Sequence, residues 1–389
     1  MSFNWFKQWE NICALSIIGI LLILHLVIID QVSSQIFDEQ HYVTEANFII
    51  AGEDPDNPEH PPLGKLIIVA GIKLFGDNAL GWRIFPVLFG VASIILFYFI
   101  CQKLTSRRLL PLLATFLFAF ENMCFVMSSV AMLDVFYFTF MLASFLLYLH
   151  HKYIPSALML ALSALAKLSG AFGGGIILLH WLLMRRKPKI DGIKFLIMAP
   201  MAFLILMPLF DYLAMGEWLY PWTRIDFMIS THATLTFESV DHEAFSYPWE
   251  WLISTKPMWF WYDPTYQANP NWTLWALIIP AMCFALYGVV KRSSLCTFAI
   301  SWFIGMYLIW IPIVILTDRV MFKFYLYPAI GTVCLMLGLA IHEILTASSR
   351  IENRAIRWLI RTPIMAFLIG HLAVFIMLSP YCGWPPASY

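Results

Sequence analysis

The residues best suited to chemistry lie in one acidic stretch that follows the first long apolar segment. Asp38 and Glu39 are adjacent, and His41 stands two residues further on. Seven Asp or Glu residues and no Lys or Arg occur between Gln31 and Gly64. A carboxylate shielded by protein or lipid has a raised pKa and can act as a general base. The same carboxylates could instead be solvated and only keep this segment outside the membrane, and the spacing favours neither reading.

Basic groups come next along the chain, at the two ends of the run from His60 to Lys65, which reads HPPLGK. Its two prolines fix an extended entry, and the glycine permits a tight start to a following helix. His60 and Lys65 would then lie at the membrane surface, where cations meet phosphate groups. The alternative is that this run is only a stiff connector, whose lysine extends its ammonium group into the solvent.

Three further ionisable residues are predicted at the external ends of apolar segments. Arg83 is unusual there, because Lys and Arg favour the cytoplasmic side, and arginine binds phosphate through two hydrogen bonds. It could equally pair with Asp38, Glu39 or Asp134. Asp134 and Lys167 are candidates by position, since ionisable groups at membrane depth are usually functional. A structural pair between Asp134 and Lys167 is the alternative.

Aromatic residues are concentrated in the stretch that contains Trp249 and Trp251. Aromatic faces stack on sugars, but tryptophans also belt the membrane interface. We predict that Trp249 and Trp251, together with His41 and Asp134, contact substrates. The sequence has no Walker loop, dinucleotide fingerprint or HExxH zinc motif, so no metal site or cofactor is predicted.

The composition shows which elements must hold these residues. Only 12% of the 389 residues are charged and 61% are hydrophobic, whereas a soluble domain carries about 25% charged residues. We therefore predict a polytopic helical membrane protein, one membrane domain over residues 1–389 without a separate soluble domain. A net charge of zero gives no reason to expect nucleic acid. The predicted spans lie near 11–30, 82–103, 109–128, 131–150, 154–167, 169–185, 193–214, 272–290, 296–316, 323–344 and 360–379.

Loop charges predict the orientation of these eleven spans. With this count the basic loops all fall on one side, which is then the cytoplasm. These loops contain Lys103, Arg107, Arg108, Arg185, Arg186, Lys187, Lys189, Lys291, Arg292, Arg350, Arg354, Arg357 and Arg361. The N-terminus is then cytoplasmic, and two long acidic loops, at about 31–81 and 215–271, are external. In the first loop, Tyr42–Ala51 and Leu63–Phe75 read as interfacial helices too short to span.

The motifs taken together resemble the protein O-mannosyltransferase family. The resemblance covers most of the chain and is strongest over the first 175 residues. It is carried by Phe37-Asp38-Glu39, His60-Pro61-Pro62-Leu63-Gly64-Lys65, Gly76-Asp77, Trp82-Arg83-Ile84-Phe85-Pro86, Ala131-Met132-Leu133-Asp134, Ala166-Lys167-Leu168-Ser169-Gly170, Pro248-Trp249-Glu250-Trp251, Lys256-Pro257 and the stretch from Arg319 to Ala329. The chain departs from the family in having Ser128-Ser129 before the AMLD run, where an arginine is frequent, and in lacking the external β-trefoil module of eukaryotic relatives.

The resemblance implies a GT-C glycosyltransferase that moves mannose, with inversion, from a polyprenyl-phosphate donor to Ser or Thr hydroxyls of proteins. On that basis Asp38 is the base, and Glu39 orients the acceptor or the sugar. Arg83, Lys167, His60 and Lys65 would bind the donor phosphate. No metal is needed, because the leaving group already bears negative charge.

The resemblance also implies a prokaryotic plasma-membrane enzyme, embedded in lipid, with its active site outside. A dimer is one of the assembly states that the sequence permits. Two other functions remain open: a GT-C transferase acting on a lipid or glycan acceptor, and a lipid flippase or transporter. A transporter would place charged groups at mid-membrane, whereas these groups are predicted at one surface.

Overall fold

The structure is a computed structural model that describes residues 7–53, 59–184, 190–239, 244–253 and 256–382. The basic residues at 185–189 and the acidic residues at 54, 56, 241 and 243 lie outside the described residues. Within the described part the chain is mostly helical, with a single short hairpin.

The α-helices are numbered in chain order. They are α1 Trp9–Ile28, α2 Glu39–Ala51, α3 Leu63–Phe75, α4 Ala79–Leu104, α5 Leu109–Ala119, α6 Asn122–Ser129, α7 Leu133–Leu149, α8 Tyr153–Ala166, α9 Phe172–Leu183, α10 Ile190–Met215, α11 Pro221–Thr234, α12 Trp272–Trp275, α13 Ile278–Val290, α14 Ser294–Phe303, α15 Trp310–Thr317, α16 Tyr327–Ser349 and α17 Arg354–Leu378. Short 3-10 segments cover Leu168–Ala171, Pro248–Leu252 and Lys323–Leu326, and a π-helical turn, Ile304–Leu308, joins α14 to α15.

The apolar helices correspond segment by segment to the predicted spans. Among the described residues six are long and apolar enough to cross a membrane, and they cover Trp9–Ile28, Ala79–Leu104, Gly192–Met215, Ser294–Thr317, Lys323–Ser349 and Arg354–Leu378. Helices α5 and α6 would make a seventh span, bent by 61° at their junction. Shorter apolar helices lie at Leu133–Leu149, Tyr153–Ala166, Leu168–Leu183 and Ile278–Val290. The count of eleven spans stays a prediction.

The loop at about 31–81, predicted to be the first external loop, contains both predicted short helices. Helix α2 ends where Gly52 takes a left-handed conformation, with φ of 74°, which glycine adopts without a steric penalty. Helix α3 begins after Pro62 and packs close to α7 and α8. Its Gly64 has no room for a side chain: a Cβ there would lie 2.7 Å from a Leu133 methyl and 3.0 Å from the Ala166 carbonyl oxygen. The glycine thus sets how closely α3 approaches the residues next to Asp134 and Lys167.

The large external loop folds back onto the segment that precedes α16. It contains α11 and a hairpin of two strands, β1 Trp259–Trp261 and β2 Tyr266–Gln267, which pair antiparallel. Residues 235–237 pair with 318–320 through backbone hydrogen bonds, from Phe237 N–H to the Asp318 carbonyl and from Val320 N–H to the Leu235 carbonyl. The loop also contacts the loop at 31–81, through the rings of His232 and His60 and of Phe260 and Phe37.

Candidate active site

Glu39 and Arg83 form a buried ion pair beneath the start of α2. Both are essentially inaccessible to water, with relative exposures of 0% and 1%. Arg83 Nε donates to Glu39 Oε1 at 2.9 Å, and Nη2 donates to Oε2 at 2.8 Å. The backbone N–H groups of Ile36 and Ala131 donate to the same carboxylate, each at 2.8 Å. Glu39 thereby ties the first external loop to α4 and to the segment before α7.

The remaining donors of Arg83 are also used inside the protein. Nη1 donates to the carbonyl oxygens of Ile29 and Val32, and Nη2 donates to that of Ser34. A guanidinium has five N–H groups, so none is left over for a phosphate. This geometry favours the pairing with Glu39 that the sequence left open. The roles of Arg83 in phosphate binding and of Glu39 toward substrates stay predictions.

Asp134 and Lys167 form a second buried pair, as the alternative interpretation of the sequence proposed. Asp134 lies in the first turn of α7, and Lys167 follows the last residue of α8. Lys167 Nζ donates to Asp134 Oδ2 at 2.8 Å. The ammonium also lies 5.6 Å from the centre of the Phe324 ring and 5.5 Å from that of Tyr325, at cation–π distances. A single carboxylate partner leaves Lys167 further N–H groups for an anion.

Asp38 differs from its neighbour Glu39 in having no ionic partner. It precedes α2 and is half-buried, and within the described part of the chain its carboxylate makes no hydrogen bond or ion pair. Burial raises the pKa of Asp38 to about 6, against opposing effects from Lys167 and His41. An unpaired carboxylate whose pKa lies just below neutral pH is largely ionised at pH 7 and has the properties of a general base.

A cationic cavity of about 390 Å³ opens beside Lys167. Basic side chains from four separate segments line it: His60, Lys167, His232 and Arg319. The rings of His60 and His232 lie 5.1 Å apart. Three buried nitrogen atoms have no hydrogen-bond partner among the described residues, namely Nδ1 of His60, Nδ1 of His232 and Nε of Arg319. Buried nitrogen atoms without partners, on residues that line one cavity, are what an anion site requires where they carry N–H groups.

The electrostatics of the two histidines fit this reading. Burial, followed by the nearby Lys167, places the pKa of His60 well below its usual value. Burial likewise lowers the pKa of His232 to about 3, and Arg319 adds to the effect. Both rings are therefore neutral near pH 7, when each has one N–H to donate. An anion in the cavity would favour their protonation and would offset the repulsion between these basic groups.

An apolar cavity of about 460 Å³ adjoins the cationic one. Side chains of α8, α9, α10 and α11 line it, and Leu168 and Ile229 belong to both cavities. Phe195 and Phe203 of α10 lie on one wall, and Trp222 of α11 lies on another. A ligand with an anionic group and a long apolar chain would fit the two cavities together.

Of the predicted site residues, only His60 and Lys167 line the cavities. Besides Asp38, Asp134 and the Glu39–Arg83 pair, four more lie outside them. Lys65 is buried and donates to Glu45 Oε2 at 2.9 Å, while His41 is exposed in the first turn of α2. Trp251 is fully buried, and its indole N–H donates to Ser246 Oγ at 3.0 Å. Trp249 is 44% exposed. Of these side chains only those of Trp249 and His41 are accessible to a substrate, and all four roles stay predictions.

Sequence reasoning missed two basic residues of the cationic cavity, His232 and Arg319. Positive charges are scarce in external loops, so an arginine predicted there, such as Arg319, could have been identified as a candidate site residue. Nothing in the sequence identifies His232 in this way. It reaches the cavity because α11 packs next to the loop that contains His60.

Comparisons with known proteins agree with this architecture. The family model for dolichyl-phosphate-mannose-protein mannosyltransferase matches residues 69–217. A polyprenol-phosphate-mannose–protein mannosyltransferase of Mycolicibacterium smegmatis is 37% identical over 116 residues, which are 28% of this chain and 22% of that protein. The match thus spans about a fifth of the length of that relative. A protein of the same name from Corynebacterium glutamicum is 24% identical over 79% of this chain and 77% of its own length.

Two solved structures share the fold. The Saccharomyces cerevisiae Pmt1-Pmt2 O-mannosyltransferase complex bound to the sugar donor has a TM-score of 0.76 at 12% identity, covering 97% of this chain and 91% of that one. ArnT of Cupriavidus metallidurans bound to undecaprenyl phosphate has a TM-score of 0.63 at 15% identity, covering 95% and 76%. The chain is an integral membrane protein with a GT-C fold, and its resemblance to the protein O-mannosyltransferase family is confirmed.

Proposed function

We propose that this protein transfers mannose from a polyprenyl-phosphate donor to Ser or Thr hydroxyls of proteins, at the external face of a prokaryotic plasma membrane. One observation supports this most directly. The unpaired carboxylate of Asp38 lies close enough to Lys167 for the ammonium to oppose the rise of its pKa, and Lys167 lines a cationic cavity that adjoins an apolar one. The arrangement supplies a base, a phosphate site and a lipid site side by side.

In this proposal the two cavities hold the donor. The polyprenyl chain lies in the apolar cavity between α8 and α10, where burial of methylene groups drives binding. The phosphate lies among His60, Lys167, His232 and Arg319. These residues stabilise the charge on the phosphate as the bond to the sugar breaks.

Asp38 acts on the acceptor. Its carboxylate accepts the hydroxyl proton while the hydroxyl oxygen attacks the anomeric carbon from the face opposite the phosphate, which gives inversion. The lipid phosphate leaves with the electron pair of the broken bond. Because protein cations meet that charge, we propose that no metal is required and that transfer persists in excess chelator. The Glu39–Arg83 pair fixes the loop that carries Asp38.

The test is transfer of mannose from a short polyprenyl-phosphate-mannose to a Ser/Thr peptide by purified protein. Asp38→Asn should lower kcat by about 10²–10⁴-fold, the usual contribution of a positioned base. Asp30→Asn is a matched control, because Asp30 is an exposed carboxylate at the start of the same loop. Undiminished transfer by Asp38→Asn would contradict the assignment.

The acceptor is tested separately. Peptide, lipid and glycan acceptors are offered to the same preparation with labelled donor. Peptide products support the proposal, whereas products confined to lipid or glycan acceptors would replace it with the related GT-C activity. Donor movement across vesicles without any transfer would indicate a flippase. Sedimentation of the detergent-solubilised protein tests the further proposal of a dimer.

A further inference from the structure

The residue before the proposed base has a strained backbone. Phe37 has a φ of 49°, in the left-handed region that bulky side chains rarely adopt. Such a conformation costs free energy and persists only where the surroundings impose it. It lies directly beside Asp38, so its cause bears on how the carboxylate is aimed.

Aromatic rings from distant parts of the chain hold Phe37 in this conformation. Its ring stacks on Phe260 of β1, with the centroids 4.4 Å apart and the planes within 5° of parallel. The edges of Phe322 and Phe324 complete the contact, with centroids at 6.4 and 6.1 Å. We call Phe37, Phe260, Phe322 and Phe324 the aromatic clamp. Pairs of this geometry are stabilising beyond the area they bury.

The aromatic clamp contacts both chemical groups of the site. Phe37 is bonded to Asp38, and Phe324 lies beneath the ammonium of Lys167. The Asp38 carboxylate has no hydrogen-bond partner among the described residues, so side-chain bonds do not orient it. Its backbone carbonyl accepts the N–H groups of His41 and Tyr42, which anchors the position from the helix side. The conformation of Phe37 sets the direction from the other side.

We propose that Phe37 and Phe260 are positioning residues for the base, so that the hairpin of the large external loop must pack against Phe37 for transfer to occur. This inference rests on the proposed function of Asp38. The packing matters because a displacement of about 1 Å at a reacting group can cost about 100-fold in rate. Neither ring lines the donor cavities, so donor binding should be insensitive to the removal of Phe37 or Phe260, which leaves Phe324 in place beneath Lys167.

A double-mutant cycle in kcat tests the inference. Phe37→Leu and Phe260→Leu each keep an apolar side chain but remove the stacked ring, and each should lower kcat about tenfold or more, with donor KM within about twofold of the parent. The double variant should be no slower than the slower single variant, because both remove the same contact. Phe260→Tyr keeps the stack and should retain kcat. Phe116→Leu, which removes a ring of α5 that packs against Phe120 just beyond the helix, is the control for loss of aromatic packing.

The pH dependence of kcat separates positioning from general loss of packing. Loosening the aromatic clamp admits water to Asp38, so the acidic limb of the profile should move to lower pH. The charges facing Asp38, namely those of Lys167, His41, Asp134 and Glu59, are the same in every variant. The inference would be overturned if Phe37→Leu and Phe260→Leu lowered kcat independently of each other. It would also be overturned if the acidic limb of the pH profile did not move and the losses in kcat matched those of Phe116→Leu. Full activity of Asp38→Asn would instead overturn the proposed function, whatever the aromatic clamp variants do.

Discussion

Arg83 and Arg319 are both predicted on the external side, but their guanidinium groups have opposite surroundings. Arg83 is fully buried and uses all its N–H groups on Glu39 and three carbonyl oxygens. Arg319 lines the cationic cavity with an unpartnered Nε. The first arrangement serves stability, and the second leaves a donor for a ligand.

This contrast gives a paired prediction. Arg83→Gln should lower the free energy of unfolding by about 3–5 kcal/mol, because it leaves the buried Glu39 carboxylate unpaired. Arg319→Gln should change stability by about 0.5 kcal/mol or less and raise donor KM about tenfold or more, since hydrogen bonds to charged groups contribute about 1.5–3 kcal/mol. Thermal unfolding in detergent and donor titration measure the two effects. If the Arg83→Gln protein were stable but bound the donor more weakly, the result would favour a role of Arg83 in phosphate binding.

The raised pKa of Asp38 predicts that the ionised carboxylate needed for activity lowers the stability of the fold. A carboxyl group whose pKa is about 6 in the folded state, above its ordinary value of 3.8, binds its proton more tightly when folded. Its ionisation therefore costs stability, fully above about pH 6, less as the pH falls, and not at all below the ordinary value of 3.8. Asp38→Asn should raise the thermal midpoint at pH 7.5 and raise it by clearly less at pH 5. Asp30→Asn should have no effect at either pH, and a lower midpoint for Asp38→Asn at pH 7.5 would contradict the prediction.

Helix α3 depends on close approach at its glycines, and Gly64 is the one that packs beside the site. A Cβ on Gly64 would lie 3.0 Å from the carbonyl oxygen of Ala166, a backbone atom that cannot rotate away. Gly64→Ala should therefore move α3 outward, cost about 1–3 kcal/mol as overpacking does, and lower kcat by disturbing Lys167. In Gly19→Ala of α1, where nothing lies within 4 Å of the new methyl, stability should be kept or slightly improved. Equal stability of both variants would show that α3 tolerates displacement.

The same elements show what the sequence can and cannot reveal. Helices α2 and α3 follow from their apolar faces and from the glycine that ends α2. Asp134 and Lys167 could be named as a pair because each stands at the end of an apolar segment. The cationic cavity could not be predicted from the sequence, because it depends on the pairing of residues 235–237 with 318–320. No periodicity or spacing encodes that contact between segments about 80 residues apart, which only the folded chain brings together.

For the whole molecule, the charge distribution and the span count lead to one arrangement in the membrane. An odd number of spans places the two chain ends on opposite sides, and the basic loops put the N-terminus in the cytoplasm. On the predicted count, Asp38, Lys167 and Arg319 would all face outward, where the proposed acceptor would be a protein that has already crossed the membrane. An even count would put the C-terminal region in the cytoplasm.

Cys382 offers a direct measurement of this arrangement. It is an exposed free thiol four residues beyond the end of α17. A membrane-impermeant maleimide should label it in intact cells, and Cys382→Ser should abolish that labelling. Lys7→Cys, made in the Cys382→Ser background and lying before α1, should react only after the cells are opened. Labelling of both positions from outside would require an even number of spans, and with it a revised side for at least one of the loops that build the site.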